Sequence, residues 1–386
     1  MAKVKLGEVA LLINGDRGKN YPSQADIVDD GDIPFVNAGH LNGRSICFDD
    51  MNYISHEKYD KLSSGKFEKN DILYCLRGSL GKKGLIYEDV VGAIASSLVI
   101  IRPDKEKIDS DYLMLALDSP SIKEQLVKAN NGSSQPNLSA ASVRDYYIEL
   151  PSLEVQGKIT ERINKVVQII DKRKQELEQL DLLIKARFVE MFGDPLVNPM
   201  NWDIVNISEV VKGKVSNGFF AKRDDYIDDG NVSVMGVAYI VNRMYSQWTD
   251  LPRTNGTDKD IEKYEVQYGD MLFCRSSLVA EGIGKASIVP EDVPKNILFE
   301  CHVIRLPLDL SKCVPEFMQV LSTTDFFRQQ IITESKTATM TTIGQNGVLK
   351  VDIILPPISK QKEFYAFVKK ITKSKVEGRM IIIGHR

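Results

Sequence analysis

The chain of 386 residues has little cysteine, no long apolar run and no surplus of positive charge, and each shortage narrows what it can be. Five cysteines, Cys47, Cys75, Cys274, Cys301 and Cys313, are odd in number and lack CxxC spacing. They read as reduced, mostly buried thiols rather than disulfides or zinc ligands. His40, His56, His302 and His385 have no ligand-like spacing either, so no metal is expected. No apolar run approaches the ~18 residues of a membrane span. The opening MAKVKLGEVALL lacks the cationic segment, apolar core and small-residue cleavage site of a secretory signal, so a cytoplasmic location is the default.

The shortage of positive charge is local as well as global. The net charge is −3. Residues 1–150 hold 18 basic against 22 acidic side chains, and residues 201–355 hold 16 against 21. Phosphate neutralisation needs clustered Lys and Arg, so a nucleic-acid role must rest on local patches rather than bulk attraction. Only residues 356–386 are strongly basic, with 8 Lys and Arg against 2 Glu.

Catalytic signatures are missing too. No Asn/Asp-Pro-Pro-aromatic string is present to hold a target base for methylation, and Pro356-Pro357 follows leucine. Gly81-Lys82 and Gly284-Lys285 suggest a phosphate loop, but Leu76 and Val279 stand where its first glycine belongs. Pro103-Asp104 with Glu106-Lys107 imitates a nuclease metal motif, yet its carboxylates are too close in sequence to come from separate strands.

What the chain has is an internal duplication. VKLGEV (Val4–Val9) lines up with VNISEV (Val205–Val210), and NDILYCL (Asn70–Leu76) with GDMLFCR (Gly269–Arg275). SLVIIRP (Ser97–Pro103) matches CHVIRLP (Cys301–Pro307), and YLMLALDSPSIKEQL (Tyr112–Leu126) matches FMQVLSTTDFFRQQI (Phe317–Ile331). Order-preserving similarity at a nearly constant offset means a duplicated domain, not a short solenoid repeat. Each copy reads as short β-rich runs, then a helix pair, a polar loop and one returning strand that meets proline. The strands expected are Ile33–Val36, Ile72–Leu76, Leu85–Tyr87 and Leu98–Arg102, then Val232–Met235, Met271–Cys274, Ala286–Val289 and His302–Leu306.

Between the copies, Leu153–Met191 reads as one helix. Ile159, Ile163, Val166, Ile170, Leu177, Leu180, Ile184 and Met191 recur at alternating four- and three-residue steps, with Arg173 and Arg187 interrupting. Thirty-nine residues at ~1.5 Å each give about 58 Å. A stripe this apolar needs a partner surface, although an ordinary long bundle helix fits the same pattern. After the second copy, Ile358–Val376 repeats the theme with Phe364, Phe367 and Ile371, over about 28 Å.

The KLGEV opening, the RGSLGKKG hairpin (Arg77–Gly84), the LPSLEVQGKI and LPPISKQKEF junctions and the MFGDP exit resemble the DNA-specificity subunit of Type I restriction-modification systems. The resemblance spans essentially the whole chain. It implies an α+β architecture: a target-recognition domain over 1–151, a spacer helix over 152–195, a second recognition domain over 196–356 and a short helix over 357–386, with coiled-coil-like helices packed antiparallel. It further implies a non-catalytic reader of a split double-stranded DNA target that directs DNA methyltransferase subunits, with a restriction/translocase subunit as a further partner. S-adenosylmethionine, ATP and Mg would belong to those partners, and none is bound by this chain. Ile159, Ile163, Val166, Ile170, Leu177, Leu180, Ile184, Phe364, Phe367 and Ile371 would form the subunit interface or support self-association. A scaffold that binds proteins, using the helix for assembly, is the competing reading.

Within that frame, loop chemistry nominates DNA contacts. Arg77, Ser79, Lys82 and Lys83 sit in a Gly-rich turn between strands, matched by Arg275, Ser276 and Lys285 in the second copy. Arg can pair with guanine in a bidentate manner and Lys suits phosphate. Gln135 and Asn137 offer amides for adenine in a loop whose counterpart includes Thr339. Arg17, Lys19, Lys222 and Arg223 lie in early loops beside aromatics. Ordinary solvated loops account for each equally well.

Overall fold

Two strands, one apolar at every position and the other at all but Arg102, set the architecture of the first copy, because a strand with no polar face must be covered on both sides. Ile72–Cys75 and Leu98–Pro103 pair antiparallel, Ile72 opposite Ile101, at the centre of a four-stranded sheet. Ala10–Asn14 and Lys83–Leu85 flank them. Alternation then splits the side chains. Ile72, Tyr74, Val99 and Ile101 face a core shared with the helices, whereas Leu73, Cys75, Leu98 and Ile100 face a second core. The computed structural model describes residues 2–130 and 136–383, with side chains described as far as Lys375.

The chain divides into two units, Met1–Ile170 and Asp171–Arg386. In the first, a second sheet runs Tyr53–Ile54, Ile33–Val36, Gly92–Ile94, Lys66–Phe67. The helices Ser110–Ala116 and Pro120–Ala129 cover the other core. Ser119 caps the second of them, its hydroxyl accepting from Ile122 N, and Pro120 occupies the first turn where no N–H is needed. The returning strand Tyr147–Leu150 pairs antiparallel with Ala2–Lys5.

The second unit repeats this connectivity. Asp270–Cys274 and Val303–Pro307 are the central pair, flanked by Ser216–Asn217 and Ala286–Ile288. Val232–Met235 pairs with Arg253–Thr254 and Ile297–Phe299, the helices are Pro315–Leu321 and Asp325–Glu334, and Asp352–Ile354 closes on Ile204–Asn206. The duplication read from the sequence is a duplication of topology. The flanking strand expected at Leu85–Tyr87 lies two residues earlier at its start, because Tyr74 pairs with Lys83.

The helix between the copies is continuous from Leu153 to Phe192. Its start is fixed by a buried glutamine that no sequence pattern singles out. Gln156 accepts from Asp109 N at 2.8 Å and donates to Lys107 O and Pro151 O at 3.0 and 2.9 Å. Gln361 does the same at the start of the last helix: it accepts from Val314 N at 2.8 Å and donates to Lys312 O and Pro356 O. Pro151 precedes the first helix rather than opening it, since the first bond runs from Gln156 N to Ser152 O. The last helix spans Ile358–Ile383 and passes through Gly378, longer than the periodicity up to Val376 suggested. At ~1.5 Å per residue its 26 residues reach about 39 Å.

Candidate nucleic-acid interface

In the first unit the central strand leaves its sheet at Cys75 and the chain turns sharply. Gly78 and Gly81 take φ of +79° and +76°, a left-handed conformation that glycine adopts without a Cβ clash. The Cys75 thiol donates to Arg77 O at 3.0 Å, and its burial lifts the thiol's pKa above the usual range. Leu76 N donates to Ser97 O at 2.9 Å, and Leu138 N donates to Leu76 O at 2.8 Å. These bonds set Arg77 opposite Asn137 in an isolated antiparallel bridge. Residues sixty positions apart in sequence become neighbours.

The early loop closes on the same place. Asp16 is buried, accepting from Gly18 N at 2.6 Å and from Ser63 N and Oγ at 2.8 Å, which lowers its carboxyl pKa. That anchor holds Arg17, whose Nη2 donates to Ser96 O at 3.2 Å. An open cleft of about 430 Å³ results, lined by Asn14, Arg17, Arg77, Asn137 and Ser139 among others, and none of its described lining residues is a carboxylate. Arg17, Arg77 and Asn137 are exposed, and Arg77 has no side-chain partner among the described residues. Two guanidinium groups and a carboxamide therefore share one opening that can accept an anion and hydrogen-bond acceptors.

Other candidates stand elsewhere. Lys19 and Ser79 are exposed on the two loops. Lys82 turns back so that Nζ donates to Ala38 O at 2.9 Å. Lys83 is buried, with its ammonium paired to Asp118. As the partner of Tyr74 in the sheet it points under the hairpin rather than out of its tip. Gln135 lies outside the described residues.

In the second unit the backbone bonds recur one for one: Cys274 Sγ to Ser276 O at 3.1 Å, Arg275 N to His302 O at 2.9 Å, and Ile343 N to Arg275 O at 3.0 Å. They give Arg275 the place of Leu76, and Ser276 the place of Arg77. Arg275 Nη1 donates to Cys301 O at 3.3 Å, and Ser276 Oγ hydrogen-bonds His302 Nδ1 at 2.7 Å. Where the described residues of the first unit form a single bridge, Ser276–Ser277, Thr341–Thr342 and Lys336–Thr337 form a small sheet, with Thr339 exposed at its hairpin tip. Lys285 donates to Asn242 Oδ1 at 2.8 Å, turned back like Lys82.

Lys222 and Arg223 are exposed, but at a different station from Lys19. Lys222 N is capped by Asp225 at 2.7 Å just as Ser23 N is by Asp26 at 2.8 Å, so Lys222 corresponds to Ser23 and shares its turn with Asp224 and Asp225. Sequence reading also passed over the Glu300, Cys301 and His302 donor atoms, which lie within 4.8 Å of one another. Their adjacency in sequence carried no spacing signal.

Residues 1–181 match the sequence model of the Type I restriction modification DNA specificity domain. Over 389 positions the chain is 22% identical to the EcoKI specificity subunit of Escherichia coli K12, covering 92% of this chain and 79% of that one. Over 402 positions it is 23% identical to the StySPI specificity subunit of Salmonella potsdam, covering 96% and 81%. The first half of the chain thus matches the specificity-domain model, and nearly the whole chain is similar to Type I specificity subunits. Among solved structures, the S subunit of a Type I restriction-modification system from M. genitalium matches with a TM-score of 0.54 at 10% identity, covering 99% of this chain and 92% of that one. A chain from work on complex assembly and conformational transition of the type I R-M system matches at 0.55 and 16%, covering 97% and 91%. At such identities the likeness is one of fold.

The helical residues divide by environment. Ile184 and Phe364 are buried in the second unit's own core, with Phe367 and Ile371 packed against it. Arg187 pairs with Glu363 at 3.7 Å and lies over the Phe367 ring, while Lys375 pairs with Asp181. Rising numbers on one helix meet falling numbers on the other, so this contact is antiparallel. Ile159 packs against the first unit's core. Leu177, Leu180 and Ile170 are half-buried, whereas Ile163 and Val166 are 38% and 45% exposed and Leu182 reaches 63%. No described helix is long and apolar enough to cross a membrane.

Proposed function

We propose that this chain is the non-catalytic reader of a split double-stranded DNA target, each unit taking one half, and that it carries DNA methyltransferase subunits to that target. The observation that supports this reading is the same pair of loops brought to the same exit of the central strand in two units of one topology. A reader of two half-targets needs one cleft twice, with different side chains in each. The loops do differ, Arg77 and Asn137 against Ser276 and Thr342. The exposed apolar side chains along the long helix suit assembly with methyltransferase subunits, with a restriction/translocase subunit or a second copy as further partners. S-adenosylmethionine, ATP and Mg belong to those subunits, and the complex works in the cytoplasm. With acidic units, the isolated chain binds DNA weakly and with strong salt dependence.

Co-expression with a neighbouring methyltransferase, followed by single-molecule methylome sequencing of the host, tests the proposal. Methylation of a two-part motif that disappears when this gene is deleted is expected. A pure scaffold would co-purify with proteins and leave the methylome unchanged.

A further inference from the structure

The two units hold one guanidinium group at the same point of their shared frame, yet draw it from different places in the chain. Ser96 lies two residues before Leu98, the partner of Cys75; Cys301 lies two residues before Val303, the partner of Cys274. Arg17 bonds the first of these carbonyls and Arg275 the second, at 3.2 and 3.3 Å. The residues are not counterparts. Asn14 pairs with Val99 as Asn217 does with Ile304, and a Cβ on Gly15 or Gly218 would fall 2.9 Å from Ala95 O or 2.3 Å from Glu300 O. Counting on from those glycines, the position of Arg17 is held in the second unit by Phe220, and that of Arg275 is held in the first by Leu76. The equivalent carbonyl meets an arginine from a different position in each unit.

We propose that Arg17 and Arg275 are equivalent phosphate clamps, one for each half of the target, gripping the DNA backbone rather than a base edge. This rests on the DNA-reading role above. A guanidinium held by one N–H on a main-chain carbonyl keeps its other donors in a planar fork that matches two phosphate oxygens. The choice of phosphate over base follows from what the units share. Groups that read bases must differ between halves of different sequence, and Arg77 and Asn137 do differ from Ser276 and Thr342. A feature kept in both units serves what both half-targets have in common, which is the backbone.

The test uses the complex with its methyltransferase, a fluorescent duplex bearing the motif found by methylome sequencing, and an unrelated duplex of equal length. R17A and R275A should each weaken binding to both duplexes by about tenfold, the scale of one charged hydrogen-bonded contact. Each should reduce the slope of log K against log salt by about one and leave base preference unchanged. R17K and R275K should keep the slope. A lost preference at particular bases with an unchanged slope would make the arginine a base reader and overturn the proposal. Unchanged binding by R17A and R275A, with folding checked by circular dichroism, would reduce both to struts. Failure of the wild-type complex to prefer its motif over the unrelated duplex would instead remove the DNA-reading role itself.

Discussion

Replacing Phe364 by alanine should loosen the joint between the two helices of the second unit. The Phe364 ring is fully buried and meets Phe188 and Phe192 edge-on, each at 5.6 Å between centroids, while Phe192 also meets Phe317 at 4.9 Å. Truncating a buried Phe costs about 3–5 kcal/mol, and each aromatic pair accounts for roughly 0.5–1.5 of it. With a urea dependence of about 2.5 kcal/mol per molar, a loss of ~4 kcal/mol moves the unfolding midpoint of this unit down by roughly 1.6 M. The assay is local because both tryptophans, Trp202 and Trp248, lie in the second unit. Trp202 is an edge contact of Phe192, and its indole N–H donates to Phe192 O at 2.9 Å. In a W248F background, Trp202 fluorescence therefore follows the joint while far-UV circular dichroism follows both units. An early fluorescence transition with the remaining ellipticity lost at its original midpoint is expected. A shift under roughly 0.4 M, or about 1 kcal/mol, would refute the view that this aromatic cluster holds the last helix down.

Four further outcomes follow from the same geometry. Gln156→Leu and Gln361→Leu each strand a buried N–H and two carbonyls, so each should destabilise its own unit by ~3 kcal/mol in urea titrations; equal effects of either variant on both units would contradict the staple role. Burial raises the Asp270 carboxyl to about 6, against ~3.9 in an unfolded chain. The folded form holds that proton more tightly, so the stabilisation is complete below about pH 4 and is lost as pH rises through about 6, at most ~3 kcal/mol. D270N should flatten the urea midpoint across that window, and an unaltered slope would assign the dependence elsewhere. Seven residues inserted within 164–177 of the long helix add ~10.5 Å and keep its face to within about 20°. The methylated gap should then widen by about three base pairs at ~3.4 Å each, and an unchanged gap would remove the helix as a ruler. Arg102→Ala should cost about 3–5 kcal/mol, because it abandons the buried Asp71 carboxylate that Arg102 binds at 2.7 and 2.8 Å; a loss below about 1 would show that water replaces the guanidinium.

The sequence by itself determined the duplication, the α+β character and the long helix, since these are written in periodicity and in the order of local patterns. All-apolar runs such as Ile72–Cys75 announce two-sided burial, and Pro120 and Pro315 announce helix starts. Tertiary structure alone decided which side chains share a site. Arg17, Arg77 and Asn137 come from three loops; the hydrogen bonds of Leu76 to Ser97 and Leu138 align the last two, and those of Asp16 and Arg17 place the first. Lys83 is the sequence neighbour of Lys82, yet its ammonium goes to Asp118 while that of Lys82 turns back onto Ala38 O. Matching Arg275 to Arg77 by loop chemistry conflicts with the alignment of Leu76 on Arg275, and the hydrogen bonds decide for the alignment. The physical reason is that side chains alternate across a strand, so a single step in pairing exchanges the buried face for the exposed one, and that step is fixed by residues far away in the chain.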